Sequence, residues 1–240
     1  MRLCIDIGNT RIKWGVFDGD ELVHYDAFVR NYDSRLRELM SEFDITESIS
    51  SSTRRKSKSM EQLVSSYIKG HIVLDHTVPL PITNTYQTPE TLGRDRLAGV
   101  VAAYMGDGTS AHVVIDAGTC ITYDVIDEQG VYLGGNIAPG AKMRLQAMHH
   151  FTDGLPLVDM KLPVDILGSS TETALQNGAL MGTVMEMNSF VHMMSKQYSR
   201  LNVILTGGDA DFFGELLNTE IFVRPNLIMV GLNEILKHNA

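Results

Sequence analysis

Two similar stretches of sequence constrain the fold of this chain more than any other feature. LCIDIGNTRIKWGVFDGD and VVIDAGTCITYDVIDEQG each contain an apolar strand, an Asp-x-Gly turn and a second strand. Aligning them places Asp6 over Asp116 and Gly8 over Gly118, a separation of 110 residues in a chain of 240. This interval indicates a divergent internal duplication, and it predicts two similar lobes.

The segments around these hairpins alternate between strand-like and helix-like patterns. In the first half, a third strand at 21–28 precedes a helical pattern near 34–43. In the second half, a long helix is predicted from about 171 to 196, followed by the turn TGGD and a final helix. We therefore expect an α/β protein with lobes at residues 1–110 and 111–240.

Charge and composition exclude several classes of function. A net charge of -9 opposes phosphate attraction, so we expect no nucleic-acid partner. The short basic run at 54–58 is interpreted as a solvated loop or helix start. The absence of a signal peptide and of a long apolar run predicts a cytoplasmic protein with no membrane partner. The two cysteines, Cys4 and Cys120, lie in apolar stretches and fit reduced thiols.

The first Asp-x-Gly turn has the residue types of a phosphate site. Gly8 allows close approach of the backbone, Asn9 and Thr10 offer hydrogen-bond donors, and Lys13 adds positive charge. Asp6 can hold magnesium directly or through water. For one such copy alone, a simple hairpin turn is the favoured interpretation.

The second copy supports the phosphate-site interpretation. Asp116 and Thr119 can supply the opposite wall of a phosphate cleft. Gly207 and Gly208 offer a surface without side chains on which an adenosine can lie. Together the three loops predict a nucleotide held between the lobes.

A candidate substrate element lies in YQTPETLGRDRL, residues 86–97. Asp95 and Arg96 place an acid and a base side by side at the start of a helical pattern. An ordinary helix start, with an aspartate in the first turn, is the alternative interpretation.

DIGNTRIKWG, TLGRDRLAG, IDAGTCITYDV, GGNIAPG and TGGDA occur in this order across nearly the whole chain. Their combination resembles the type III pantothenate kinases, within the superfamily of acetate and sugar kinases, heat-shock chaperones and actin. The resemblance implies a duplicated actin-like (ribonuclease H-like) ATPase fold, with two similar lobes around a nucleotide cleft. It implies the ATP-dependent phosphorylation of pantothenate, the first step of coenzyme A biosynthesis. It also implies a homodimer.

The resemblance assigns a role to each matching residue. Asp95 corresponds to the catalytic base, and Arg96 to the residue that binds the substrate carboxylate. The implied pantothenate-binding residues are Tyr86, Gly93, Arg94, Asp95, Arg96 and Thr171. The expected ATP-binding residues are Asp6, Ile7, Gly8, Asn9, Thr10, Arg11, Ile12, Lys13, Thr119, Gly207 and Gly208. Asp6 is the expected magnesium ligand, and Asp116 corresponds to the ligand of a monovalent cation, potassium or ammonium.

Two other functions compete with this one. Relatives of the family have been described as accessory factors for transcription, so a non-catalytic, ATP-binding regulator is one alternative. The intact set Asp6, Asp95 and Asp116 favours catalysis, and the acidic balance opposes direct DNA contact. A kinase for another small carboxylate-bearing alcohol, or a phosphatase of the same fold, is the second.

Overall fold

A computed structural model describes residues 1–52, 58–161 and 166–240. Residues 53–57, which include most of the basic run considered above, lie outside the described residues. The chain divides into two compact units. The first comprises Met1–Thr109, Gln129–Leu133 and Asn226–Ala240, and the second comprises Ser110–Glu128 and Gly134–Pro225.

The first unit is built on a five-stranded sheet of order β3-β2-β1-β4-β5. Its strands are β1 (Arg2–Ile7), β2 (Ile12–Asp18), β3 (Glu21–Phe28), β4 (Glu47–Ser52) and β5 (Gly70–Val73). β1, β2 and β3 form an antiparallel meander, while β4 runs parallel to both β1 and β5. A short strand, β6 (Thr83–Asn84), pairs with Val131 and Tyr132 at the start of a later strand. β1 and β2 are the two strands of the hairpin that was predicted around the first Asp-x-Gly turn.

Among the described residues, the helices of the first unit are α1 (Tyr32–Glu42), α2 (Lys58–Tyr67), α3 (Arg94–Asp107) and α7 (Leu227–His238). Successive side chains of β1 point to opposite faces of the sheet and pack in two different apolar cores. Leu3 and Ile5 pack with α1 and α2, whereas Cys4 packs with residues of α3 and α7. The helix α3, which carries the Gly-Arg-Asp-Arg element near its start, is thus fixed to one face of β1 by apolar burial.

The second unit repeats this plan. Its strands are β7 (Ala111–Ala117), β8 (Cys120–Ile126), the part of β9 (Val131–Pro139) from Gly134 onward, β10 (Leu201–Thr206) and β11 (Phe222–Val223), in the sheet order β11-β10-β7-β8-β9. β7 and β8 form an antiparallel hairpin, and β10 runs parallel to β7. The helices are α4 (Ala141–His150), α5 (Thr171–Ser195) and α6 (Ala210–Gly214). The Ser170 side chain caps the N-terminus of α5. The bounds of α5 confirm the long helix predicted from about 171 to 196.

The two hairpins confirm the internal repeat. In each unit an Asp-x-Gly turn joins two antiparallel strands, and a later strand runs parallel beside the first. The α/β class is confirmed, with a mixed sheet in each unit. No helix among the described residues is long and apolar enough to cross a membrane.

The compact units differ from lobes cut at residue 110 mainly at the C-terminus. α7 packs on α3 in the first unit, and a Cβ atom at Gly231 would clash with the carbonyl group of Ala98. A glycine is required there because the two helix backbones approach so closely. The division at 1–110 and 111–240 stays a prediction about the duplication, as does the nucleotide cleft.

Candidate active site

Asp6 is the next-to-last residue of β1 and the first residue of the Asp-x-Gly motif. It is 4% exposed, and its register partners are Lys13 on β2 and Ser51 on β4. The Ser51 hydroxyl donates a hydrogen bond of 3.0 Å to Oδ1 of Asp6. The strand thus holds a carboxylate almost out of solvent, with one of its oxygens fixed by a neighbouring strand.

The electrostatic environment of Asp6 favours a bound cation. Burial, followed by the negative charge of Asp95, raises the pKa of Asp6 to about 6, although Lys13 and the Ser51 hydrogen bond act in the opposite direction. A buried carboxylate whose pKa is raised by a neighbouring negative charge offers the kind of oxygen ligand that magnesium prefers. The residues therefore fit the predicted magnesium ion, which would relieve this repulsion.

Asp95 lies in the first turn of α3 and is half-buried. Its Oδ1 accepts a hydrogen bond of 2.9 Å from the backbone N–H of Arg96. A Cβ atom at Gly93 would lie 2.6 Å from that same oxygen and 3.3 Å from Cδ of Arg96. Glycine at 93 therefore leaves the space in which the carboxylate folds back over the start of the helix. A helix N-terminus and a backbone donor both stabilise the ionised form of such a group.

The two arginines of the element are placed differently. Arg96 is 7% exposed, and its guanidinium carbon lies 5.7 Å from the centre of the Tyr86 ring. The Tyr86 ring in turn stacks on buried Tyr132, with 6.1 Å between ring centres. Arg94 instead donates hydrogen bonds to the carbonyl oxygens of Pro89 and Glu90. The structure therefore brings Tyr86, Asp95 and Arg96 to one end of α3, while the Arg94 side chain holds the preceding loop.

The predicted phosphate loop after β1 is largely exposed. Asn9, Thr10 and Arg11 are exposed, and Lys13 is half-buried. The side chains of Ile7 and Ile12 belong to the apolar core, so only their backbone groups can reach a nucleotide. The neighbouring Gly8 leaves room for such an approach.

In the second unit, Asp116 lies at the end of β7 beside the TGGD turn. Gly207 has a φ of +99°, and a Cβ atom there would clash with the Asp116 carboxylate and the Ala117 carbonyl oxygen. A glycine is therefore required on both conformational and steric grounds. Leaving aside its chain neighbours, no described atom lies within 4 Å of the position that a Cβ of Gly208 would take. The carboxylate and carbonyl oxygens here suit a hard cation such as potassium.

The GGNIAPG segment packs against the second Asp-x-Gly turn. The backbone N–H of Gly140 donates to the carbonyl oxygen of Thr119 at 3.1 Å, and a Cβ at Gly140 would clash with that turn. Arg144 of α4 donates to the Pro139 carbonyl at 2.8 Å and to Glu186 of α5 at 2.6 Å. These bonds explain a segment that the sequence singled out without assigning a role. Thr171 is the exposed first residue of α5, and the described contacts do not bring it to this cluster.

Sequence reasoning missed several residues that shape the site. Ser51 and Tyr132 contact predicted site residues directly, and Nζ of Lys142 lies 3.6 Å from Oδ1 of Asp209, the last residue of the TGGD turn. The run ESISSS at 47–52 was the available signal for Ser51, because a strand with four serines, three of them buried, requires hydrogen-bond partners. No local pattern marks Tyr132.

Comparisons with known proteins identify relatives of this chain. The profile of the family described as type III pantothenate kinase matches residues 2–193. A type III pantothenate kinase of Phocaeicola vulgatus is 42% identical over 239 residues, covering all of this chain and 99% of that protein.

Solved structures show the same fold. A Baf family protein from Campylobacter jejuni, described as a transcriptional activator, is similar with a TM-score of 0.64 and 23% identity, covering 99% of this chain and 98% of that one. A protein assigned as a 2-dehydro-3-deoxygalactonokinase from Sinorhizobium meliloti has a TM-score of 0.62 at 10% identity, with coverage of 100% and 99%. These likenesses confirm the actin-like ATPase fold. The full-length sequence match establishes more than the fold: the chain belongs to the type III pantothenate kinase family.

Proposed function

We propose that this chain transfers the γ-phosphoryl group of ATP to the primary hydroxyl of pantothenate, giving 4'-phosphopantothenate in the first step of coenzyme A biosynthesis. The observation that carries the proposal is that Asp95, in the first turn of α3, raises the pKa of the buried Asp6 on β1, in a chain of this family. Two nearby carboxylates suit a site where one group orients a hydroxyl and the other holds a metal.

Asp95 is the proposed catalytic base. Phosphoryl transfer passes through a loose transition state, so catalysis depends mainly on positioning and on neutralising charge. Asp95 accepts a hydrogen bond from the pantothenate hydroxyl and takes its proton as the bond to phosphorus forms. The backbone N–H of Arg96 donates to Oδ1 of Asp95 and holds the carboxylate at the start of α3, where it is proposed to make this contact.

Arg96 and Tyr86 are the proposed carboxylate-binding residues. A largely buried guanidinium can bind a carboxylate through two parallel hydrogen bonds. The Tyr86 ring supports the guanidinium from one side, and Tyr132 supports the ring. Gly93 leaves room for the Asp95 carboxylate, and Arg94 holds the loop before α3 through its hydrogen bonds to that loop's carbonyl oxygens. Thr171 completes the proposed set of pantothenate contacts.

Asp6 is the proposed magnesium-binding residue, and Asp116 is the proposed ligand of potassium or ammonium. When bound, these cations would neutralise charge on the phosphate oxygens. The loop from Ile7 to Lys13, with Thr119, is proposed to contact the phosphates of ATP. Gly207 and Gly208 are proposed to contact its adenosine.

The enzyme is further proposed to act in the cytoplasm as a homodimer. Both cysteines are free thiols, which fits a reducing compartment. On α5, Met185 and Met193 are 50% and 52% exposed, and a second copy of the chain would bury such apolar surface.

A substrate panel tests the proposed reaction. Purified protein with MgATP is given pantothenate, other small hydroxy acids and sugars, each with sodium, potassium or ammonium as the only monovalent cation. We expect phosphorylation of pantothenate alone, with turnover raised by potassium or ammonium. Faster turnover of another hydroxy acid would show that pantothenate is not the preferred substrate. Nucleotide binding without any turnover would favour the regulatory alternative.

A further inference from the structure

The strand β4 carries an unusual number of buried hydroxyl groups. It lies between β1 and β5, and Ser48, Ser50 and Ser51 are each 0 to 1% exposed. A central strand buried on both faces is normally apolar, and a buried hydroxyl is destabilising unless it has a hydrogen-bond partner. The partners of these serines therefore indicate why each one is present.

Two of the serines bind a histidine. The hydroxyls of Ser48 and Ser50 lie 2.8 Å and 3.1 Å from Nδ1 and Nε2 of His71 on β5. These contacts join two neighbouring strands and involve none of the proposed site residues. Ser48 and Ser50 consequently have a structural role in the sheet.

Ser51 points to the opposite face, because successive side chains of a strand alternate. It shares that face with Ile49, which packs in the core formed with residues of α3 and α7. Ser51 is the register partner of Asp6 across the parallel pair of β1 and β4, and its hydroxyl donates to Oδ1 of Asp6. It is thus directed toward the face from which α3 presents Asp95.

The hydrogen bond distinguishes the two oxygens of the Asp6 carboxylate. Oδ1 is bound by Ser51, whereas Oδ2 lies 3.9 Å from the position that a Cβ at Gly8 would take. The terminal torsion of an aspartate is soft, so a carboxylate without this partner could rotate. We propose that Ser51 is a positioning residue that holds Asp6 with Oδ2 directed to the Gly8 loop, ready to bind the magnesium of MgATP.

This inference rests on the proposed function, in which Asp6 binds magnesium. A carboxylate that ligates a metal is commonly oriented by a hydrogen bond to its other oxygen. The burial of both partners excludes competing water, so the Ser51 hydroxyl is well placed to define that orientation.

The test compares Ser51→Ala with the matched control Ser50→Ala, which removes an equally buried hydroxyl from the same strand. Calorimetry measures the binding of Mg²⁺ to the protein saturated with a non-hydrolysable ATP analogue, and steady-state kinetics measure kcat and KM for MgATP. We expect Ser51→Ala to weaken Mg²⁺ binding and lower kcat, each by about 10- to 100-fold. Binding of the analogue without metal should stay within about two-fold, because no direct nucleotide contact is removed. Ser50→Ala should leave all of these quantities near wild type.

Equal Mg²⁺ affinity and kcat in the two variants would overturn the positioning role. If Ser51→Ala does not fold, Ser51→Thr, which keeps the hydroxyl, is compared with Ser51→Cys, which replaces it with a weak donor. If Ser51→Thr keeps the wild-type Mg²⁺ affinity and Ser51→Cys does not, the positioning role of Ser51 is supported. Equal Mg²⁺ affinities of the two variants would contradict it. A wild-type protein that binds the magnesium nucleotide without phosphorylating pantothenate would overturn the proposed reaction, and the Mg²⁺ titration would still decide the role of Ser51.

Discussion

Asp95, at the start of α3, acts electrostatically on Asp6, near the end of β1: its negative charge adds to burial in raising the pKa of Asp6. One carboxylate is almost fully buried, and the other is half-buried. Since repulsion between like charges is strong where solvent is excluded, this pair is unfavourable unless a proton or a cation is present. The relationship connects the fold to the proposed chemistry and gives it measurable consequences.

Asp95→Asn should remove turnover without removing nucleotide binding. The amide keeps the size of the side chain and can still accept the backbone hydrogen bond from Arg96, but it cannot take a proton from the substrate. We expect kcat to fall by about 10²- to 10⁴-fold, the usual contribution of a positioned base. Asp107→Asn at the exposed end of the same helix is the control and should leave kcat unchanged. Turnover of Asp95→Asn near that of the wild type would remove Asp95 from the mechanism.

Asp6→Asn should stabilise the metal-free protein in a pH-dependent way. The pKa of Asp6 is about 6 in the folded protein, above its value in the unfolded chain. The wild-type protein therefore has its full stability below about pH 4, where Asp6 is protonated, and loses stability as the pH rises through 6 and Asp6 becomes charged. In EDTA without nucleotide, the variant should therefore be about 2 to 3 kcal/mol more stable than wild type at pH 7.5.

Urea unfolding of the two proteins at pH 4 and pH 7.5 measures this difference. The gain from Asp6→Asn should nearly vanish at pH 4, where the carboxyl of the folded wild-type protein is also neutral. A stability difference that is equal at both pH values would show that the Asp6 charge does not oppose folding.

Arg96→Ala should weaken the binding of pantothenate through the loss of a carboxylate partner. We expect KM for pantothenate to rise by about 10- to 100-fold, the size of a charge-assisted hydrogen bond. An analogue with a neutral alcohol in place of the carboxylate should show little change between wild type and Arg96→Ala. Arg94→Ala is the matched variant, because its guanidinium binds the Pro89 and Glu90 carbonyls.

Arg94→Ala should change KM for the acid and for the neutral analogue by the same factor, since it loosens the loop without removing a carboxylate partner. If Arg96→Ala also affects both compounds equally, Arg96 does not recognise the carboxylate.

Gly93→Ala should disturb the catalytic carboxylate more than the fold. The added methyl group would stand 2.6 Å from Oδ1 of Asp95, so this side chain must move away from the backbone donor. We expect kcat to fall at least about 10-fold, because a small displacement of a catalytic group is costly to the rate. The melting temperature should change by only a few degrees, which thermal unfolding would check. Normal kcat would indicate that the position of Asp95 tolerates the shift.

The hairpins and the phosphate-loop candidates could be predicted because their signals are local. Alternating apolar residues followed by Asp-x-Gly specify a strand and a turn, and the repeat at Asp116 specifies the second copy. The long helix α5 was equally clear from its apolar spacing.

Other features depend on partners that are remote in the sequence. Ser51 acquires its meaning from Asp6, 45 positions away, and Tyr132 from its contact with Tyr86. The return of α7 to the first unit was not predicted, because an apolar helix pattern does not specify which core receives it. The space at Gly231 that admits the Ala98 carbonyl becomes evident only once both helices are placed.

The most direct measurement of the central claim is identification of the product formed from pantothenate and MgATP by the purified protein. Phosphorus NMR and mass spectrometry of the reaction mixture would identify the phosphorylated position. The account predicts 4'-phosphopantothenate and one equivalent of ADP from the wild-type protein, with neither formed at a comparable rate by Asp95→Asn. Hydrolysis of ATP without a phosphorylated pantothenate, or equal product from the variant, would contradict it.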